Sequence, residues 1–244
     1  MLREIRRLLP GADLLYLADQ ARAPYGERSL QEVRDFSEAI ARYLIGRGAA
    51  PVVIACNTAS AAALRGLREQ WPGVPFVGME PAVKPAAHLT AQGKVGVLAT
   101  QATFQGELFA DLVARYGNGV EVLTAACPGL AALIEDVPPN DPGAADRLAA
   151  FARPLVAAGA DVLVLGCTHY SFLQQALAER VGPGVAIVDP AEAVARRVAA
   201  VAEEAGSAGG QGTTTWLTTG DPARFAAQVE LLLGERVEAH RVAV

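Results

Sequence analysis

The chain predicts an α/β protein built on parallel sheets and organised as two similar halves. Three observations lead there. Short β-branched apolar runs alternate with longer amphipathic stretches almost from end to end, the pattern of βα units feeding a parallel sheet. The runs are continuously apolar, as expected of strands covered on both faces. Finally, VVIACNTAS (52–60) and VLVLGCTHYS (162–171) both read apolar strand, cysteine, threonine, helix, with Cys56 and Cys167 separated by 111 residues. A repeat of that length implies two α/β halves, each placing a cysteine just past the carboxyl end of a strand, the edge where open parallel sheets bind ligands.

Taken in order, the predicted strands are LLYLAD (14–19), PVVIAC (51–56), PFVGM (75–79), KVGVLAT (94–100), VEVLTA (120–125), DVLVLGC (161–167), VAIVDP (185–190) and TTTWLTT (213–219). A helix is predicted between 28 and 48: Ser29 and Glu32 form a capping box, Val33, Phe36, Ile40 and Leu44 share a face, and Gly46 and Gly48 end the pattern. The polar SAGGQG at 207–212 reads as a surface loop.

Composition narrows the function. With 244 residues, 52% hydrophobic and 19% charged, the chain can bury a full core and is not disordered. It holds no uncharged apolar stretch long enough for a membrane span, so no membrane partner is expected. A formal charge of −5 and a pI near 5.3 supply no basic field for nucleic acid, which leaves a small-molecule substrate. Three cysteines, an odd number without framework spacing, and a basic start without a signal-peptide core point to a reducing, cytoplasmic setting. Neither metal-ligand spacing nor a dinucleotide or nucleotide fingerprint occurs, so no cofactor and no metal are expected.

Cys56 in A-C-N-T and Cys167 in G-C-T-H each sit at a strand-to-helix junction, where free N–H groups and the helix dipole favour an anion. A buried free cysteine is usually inert packing. Two in matched positions, each followed by hydroxyl, amide or imidazole donors, favour chemistry. Thiols approaching one ligand from opposite sides suit a stereochemical inversion, in which a thiolate removes a proton from carbon and a thiol returns one to the other face. Each thiol then needs a group to manage its proton, and His169 and Glu135 are candidates. Cys127, in A-C-P, lacks flanking donors and reads as structural; His88 and His240 read as surface or satisfied histidines, and Trp71 and Trp216 as packing residues.

The segments PVVIACNTASAAAL (51–64), VLVLGCTHYSFL (162–173), LADQARAPYGERS (17–29), GMEPAVKPA (78–86), VGVLAT (95–100) and ACPGLAALIE (126–135) closely resemble the glutamate racemases of the cofactor-independent Asp/Glu racemase superfamily. The resemblance implies two flavodoxin-like domains related by a pseudo-two-fold axis, with the active site in the cleft between them. The expected first domain is 1–78 with 190–244, and the second 79–189. By the same resemblance Cys56 and Cys167 are the acid/base thiols, assisted by His169 and Glu135. Asn57, Thr58, Thr168 and His169 would hold the substrate's carboxylates and amine, and Tyr25 and Gly26 of the PYG loop would contact it. Thr100 and Thr103 fall in a second-rank region similar to a threonine-rich substrate loop. The implied activity interconverts L- and D-glutamate without cofactor, supplying D-glutamate for peptidoglycan, and such folds commonly form homodimers.

The sequence departs from the family at its start. Family members open with a strand leading into an Asp-Ser-Gly loop ahead of the helix that here begins at Met1, and neither precedes Met1 in this sequence. The expectation is that Met1 is a mis-assigned start and that proton management at Cys56 lacks a counterpart of that aspartate. Alternatives are an inactive or ligand-binding truncated relative, a racemase for aspartate or another amino acid, and a cysteine hydrolase. The last would leave the second matched cysteine unexplained.

Overall fold

The computed structural model describes residues 1–117 and 119–244. Along the chain run α1 (Leu2–Leu8), β1 (Leu14–Ala18), a 3₁₀ turn (Tyr25–Glu27), α2 (Leu30–Gly46), β2 (Val52–Val53), α3 (Asn57–Gln70) and β3 (Phe76–Val77). Then follow α4 (Val83–Leu89), β4 (Lys94–Ala99), α5 (Gln101–Gln105), α6 (Glu107–Tyr116), β5 (Glu121–Ala126), α7 (Leu130–Glu135), α8 (Pro142–Ala157), β6 (Val162–Leu165), a 3₁₀ helix (Thr168–Leu173), α9 (Gln174–Val181) and β7 (Ala186–Val188). The chain closes with α10 (Ala191–Glu204), β8 (Thr214–Thr218), α11 (Pro222–Leu233) and β9 (Ala239–Arg241). Two compact units result, one of Met1–Met79 with Ala191–Val244 and one of Glu80–Pro190.

Every predicted apolar run overlaps an observed strand. The predicted helix is α2, with both halves of the Ser29–Glu32 capping box formed and Gly48 in the left-handed region at φ 81° just past its end. One strand, β9, was not predicted. It pairs in parallel with β8 through Trp216–Ala239, Leu217–His240 and Thr218–Arg241, and it exists because β8 offers a free edge to a short polar segment.

The second unit is a four-stranded parallel sheet in the order β5-β4-β6-β7. Its two central strands, β4 and β6, alternate between two dry faces. Val95, Val97, Ala99, Val162 and Val164 meet α4 and α6, whereas Leu98, Leu163 and Leu165 meet α7, α8 and α9. Because β5 and β6 lie on opposite sides of β4, the connections leaving the carboxyl ends of β4 and β6 diverge there, the kind of switch point at which open α/β sheets bind ligands. Gly166 lets the ends close up: a Cβ on it would stand 2.8 Å from the Ala99 Cβ and 2.9 Å from the Leu98 carbonyl oxygen.

The first unit holds a three-stranded sheet, β1-β8-β9, and a two-stranded one, β2-β3, all parallel. Helices α1 and α10 pack on Leu14, Val53 and Val77, while α2 and α3 cover Val52 and Phe76. Tyr16, Trp216 and Phe225 form an aromatic cluster with centroid separations of 5.2–6.1 Å. Trp216 is thus a core residue, as expected.

Candidate active site

In the first unit the chain leaves β2 with Cys56 as the N-cap of α3, and the thiol sulfur accepts the Ala59 N–H at 3.5 Å. The extended backbone of Cys56 and the helical backbone after it set the sulfur at the positive end of α3. Asn57 and Thr58 are buried. Both polar atoms of the Asn57 amide are enclosed without a hydrogen-bond partner, an arrangement that costs about 1–3 kcal/mol per group in a resting protein and suits one awaiting a polar ligand. Tyr25 packs with Val33, Ala59 and Ala62 against Cys56, and Gly26 follows it in the same 3₁₀ turn.

The Tyr25 hydroxyl donates to the Asp19 carboxylate, 2.5 Å away. Burial first, then the bond to Asp19, its charge and the charge of Cys56, push the phenol pKa well up and keep it a neutral donor. Asp19 in turn accepts the Thr219 hydroxyl at 2.7 Å and lies 3.5 Å from the Arg22 guanidinium. Sequence reading singled out Tyr25 but not Asp19, Arg22 or Thr219. The available signal was an acidic residue immediately beyond the carboxyl end of a strand.

In the second unit Cys167 follows β6 and caps the 3₁₀ helix, with its sulfur 3.7 Å from His169 Nδ1. The other ring nitrogen, Nε2, stands 2.9 Å from the Glu135 carboxylate at the end of α7. Burial opposes a charged imidazole, but the bonds and charges of Cys167 and Glu135 outweigh it and push the His169 pKa up to about 10. Both ring nitrogens of His169 thus face a partner, the Cys167 sulfur on one side and the Glu135 carboxylate on the other. Thr168 opens the 3₁₀ helix and is half-buried. Thr100 caps α5 at the end of β4, its hydroxyl 2.9 Å from that of the buried Thr103.

Cys56, Asn57, Thr58, Tyr25 and Gly26 thus gather in one unit, and Cys167, Thr168, His169 and Glu135 in the other. Cys127 is buried at the exit of β5, and burial pushes its thiol pKa up to about 12, consistent with a structural thiol. His88 lies in α4 and His240 is exposed in β9. Among the described residues no group of three or more His, Cys, Asp or Glu side chains is placed to hold a metal ion, and no helix is long and apolar enough to cross a membrane.

Parallel α/β units, with a cysteine beyond a strand end in each and an imidazole–carboxylate pair beside one of them, are the features of an isomerase of the racemase class. The chain belongs to the Asp/Glu/Hydantoin racemase family, whose model matches residues 1–198. A glutamate racemase of Roseiflexus sp. (strain RS-1) is 52% identical over 236 residues, 95% of this chain and 87% of that one. The crystal structure of a glutamate racemase isoform from Bacillus anthracis superposes with a TM-score of 0.89 at 30% identity, covering 100% of this chain and 92% of that one. That of the Escherichia coli glutamate racemase, in complex with L-glutamate and an activator, does so with a TM-score of 0.86 at 33% identity, covering 100% and 91%.

Proposed function

We propose that the chain is a glutamate racemase that inverts Cα with two thiols and no cofactor, supplying D-glutamate for peptidoglycan. The observation that carries the reading is the relay Glu135–His169–Cys167, set opposite in kind to the helix-capped Cys56 of the other unit. In one direction a cysteine thiolate takes the Cα proton, the carbon's electron pair passes into the adjacent carboxylate as an enediolate, and the other cysteine's thiol delivers a proton to the opposite face. In the reverse direction the roles exchange. Each turnover leaves one thiolate and one thiol, so no net proton or electron is needed. The His169 imidazolium steadies the anionic state of Cys167, and Glu135 orients the ring and holds its charge. At Cys56 that support comes from the Ala59 N–H and the positive end of α3.

The unpartnered Asn57 amide, with Thr58, Thr168 and the Tyr25–Gly26 turn, receives the substrate's amine and carboxylates in this reading. The test is incubation of each glutamate enantiomer in deuterium oxide: deuterium is expected at Cα of the product from either direction. Racemisation retained in a Cys56→Ser, Cys167→Ser double variant would overturn the two-thiol mechanism. Aspartate turned over faster than glutamate would reassign the substrate.

A further inference from the structure

The Tyr25–Gly26 turn, which receives substrate in the reading above, is held from two sides. The Tyr25 hydroxyl donates to the Asp19 carboxylate, and the Tyr25 ring lies 6.1 Å from that of Phe36 in α2. One side chain touches both supports. The Arg22 guanidinium stands 3.5 Å from the Asp19 carboxylate and 4.9 Å from the centre of the Phe36 ring. The Arg22 carbonyl also accepts the Arg28 Nε–H at 3.2 Å, so the residues on either side of the turn are tied together.

What fixes Arg22 comes from the other end of the sequence. In the sheet β1-β8-β9, Ala18 is level with Thr218 and Thr218 with Arg241, so the carboxyl ends of all three strands lie side by side. Thr219, the residue after β8, donates its hydroxyl to Asp19 at 2.7 Å and accepts the Ala21 N–H at 3.1 Å. Beyond β9 the Val242 N–H donates to the Thr218 carbonyl at 2.8 Å, and two residues further on the Val244 main-chain oxygen accepts an N–H of the Arg22 guanidinium at 2.6 Å. That contact is short, as charge-assisted bonds are. The Arg22 side chain is only 19% exposed and that of Asp19 only 7%, so a guanidinium this far from water must have its donors met inside the protein.

We propose that Arg22 is a positioning residue for the Tyr25–Gly26 turn, and that the residues after β9, through the Val244 oxygen, are the strap that keeps it in place. The inference rests on the glutamate racemase reading above. A guanidinium is flat and offers its donors in a fixed fork, so Arg22 meets a carboxylate and a main-chain oxygen with its edges and an aromatic ring with its face, all at once. A lysine could not do so. Without the Val244 oxygen the fork loses the bond that sets its direction. Arg22 then turns toward water, Asp19 loses its cation and Phe36 its cover, and the turn carrying Tyr25 and Gly26 samples other positions. The substrate meets a looser turn, which weakens its binding before it alters the chemistry at the thiols.

The test compares Arg22→Met, which keeps an unbranched side chain without the donors, with a chain ending at Val242, which keeps the bond to Thr218 and loses the one to Val244. Amide hydrogen exchange of the 19–28 segment, followed by mass spectrometry, is expected to quicken about tenfold in each, the size of one hydrogen bond to a charged group. KM for glutamate should rise about tenfold with kcat within about threefold, and combining the two changes should add little, because both remove the same contact. Unchanged exchange in the shortened chain, or a lower melting temperature with KM unmoved, would overturn the proposal and leave Arg22 as packing. Effects that multiply in the combined variant would overturn it equally. If Arg22→Met does not fold, the shortened chain decides by the same readings of exchange and KM. Exchange needs no turnover, so a protein that does not racemise glutamate would sink the function while the strap is still judged.

Discussion

Cys56 and Cys167 hold matching places in their units, each one residue before a helical segment, yet the structure supports them differently. Cys56 opens a regular α-helix, and its sulfur takes a backbone N–H from the first turn. Cys167 opens a 3₁₀ helix and receives no such cap, but it has an imidazole at 3.7 Å backed by a carboxylate at 2.9 Å. In the proposed mechanism one site steadies an anion with fixed dipoles, which do not titrate, and the other with a side chain that does. The lesson is that a repeat can preserve where a nucleophilic atom sits while changing how its charge is managed, and the two halves should therefore respond differently to pH.

The largest effect expected is loss of either thiol. Cys56→Ser and Cys167→Ser should each lower kcat for racemisation by about 10²–10⁴-fold, the range of a positioned acid/base group, measured by circular dichroism of glutamate. If either variant keeps more than about a tenth of the activity, that half has no proton role and the comparison breaks.

Next is Asn57→Ala. The amide has no partner in the free protein, so its removal should raise KM about tenfold, one polar contact to substrate, while leaving the melting temperature of the ligand-free protein equal or higher. A fall in that temperature with KM unchanged would mean that Asn57 is a structural amide.

Glu135→Gln sharpens the contrast between the two thiols. Its charge helps hold the His169 pKa at about 10, above the ordinary 6.5. The imidazolium's stabilising pairing is therefore fully present below about pH 6.5 and lost as pH rises through about 10. Removing the carboxylate should bring the alkaline fall in both activity and thermal stability to lower pH. A pH–rate profile identical to that of the unaltered protein would show that Glu135 does not tune the ring. Smallest is Ser29→Ala, which removes one half of the α2 capping box but no group proposed to touch substrate. It should cost about 1 kcal/mol by urea unfolding and leave kcat unchanged.

Much of this molecule is legible in its sequence. Runs such as KVGVLAT and DVLVLGC became β4 and β6 because continuous apolar β-branched stretches can only be strands dry on both faces. Segment β9 was not readable: EAHRV carries no apolar signal, and its pairing depends on an edge more than twenty residues earlier. The Ser29–Glu32 box was legible because it is local. Glu135 is a candidate in the sequence by its chemistry and by resemblance, but nothing in the spacing of residues 34 apart announces a contact at 2.9 Å. Asp19 is not legible, because an acidic loop residue looks ordinary until its partner Thr219 is seen.

The amino-acid sequence by itself determined the succession of βα units, the placing of Cys56 and Cys167 beyond strand ends, and the donors that follow them. These depend on periodicity and capping within a dozen residues, and such interactions are written locally. Tertiary structure alone decided the strand order β5-β4-β6-β7, and with it which side chains attend the second thiol. Parallel strands exchange hydrogen bonds with distant partners, so the register that brings Cys127, Thr100 and Cys167 level across the sheet edge is set when the strands assemble.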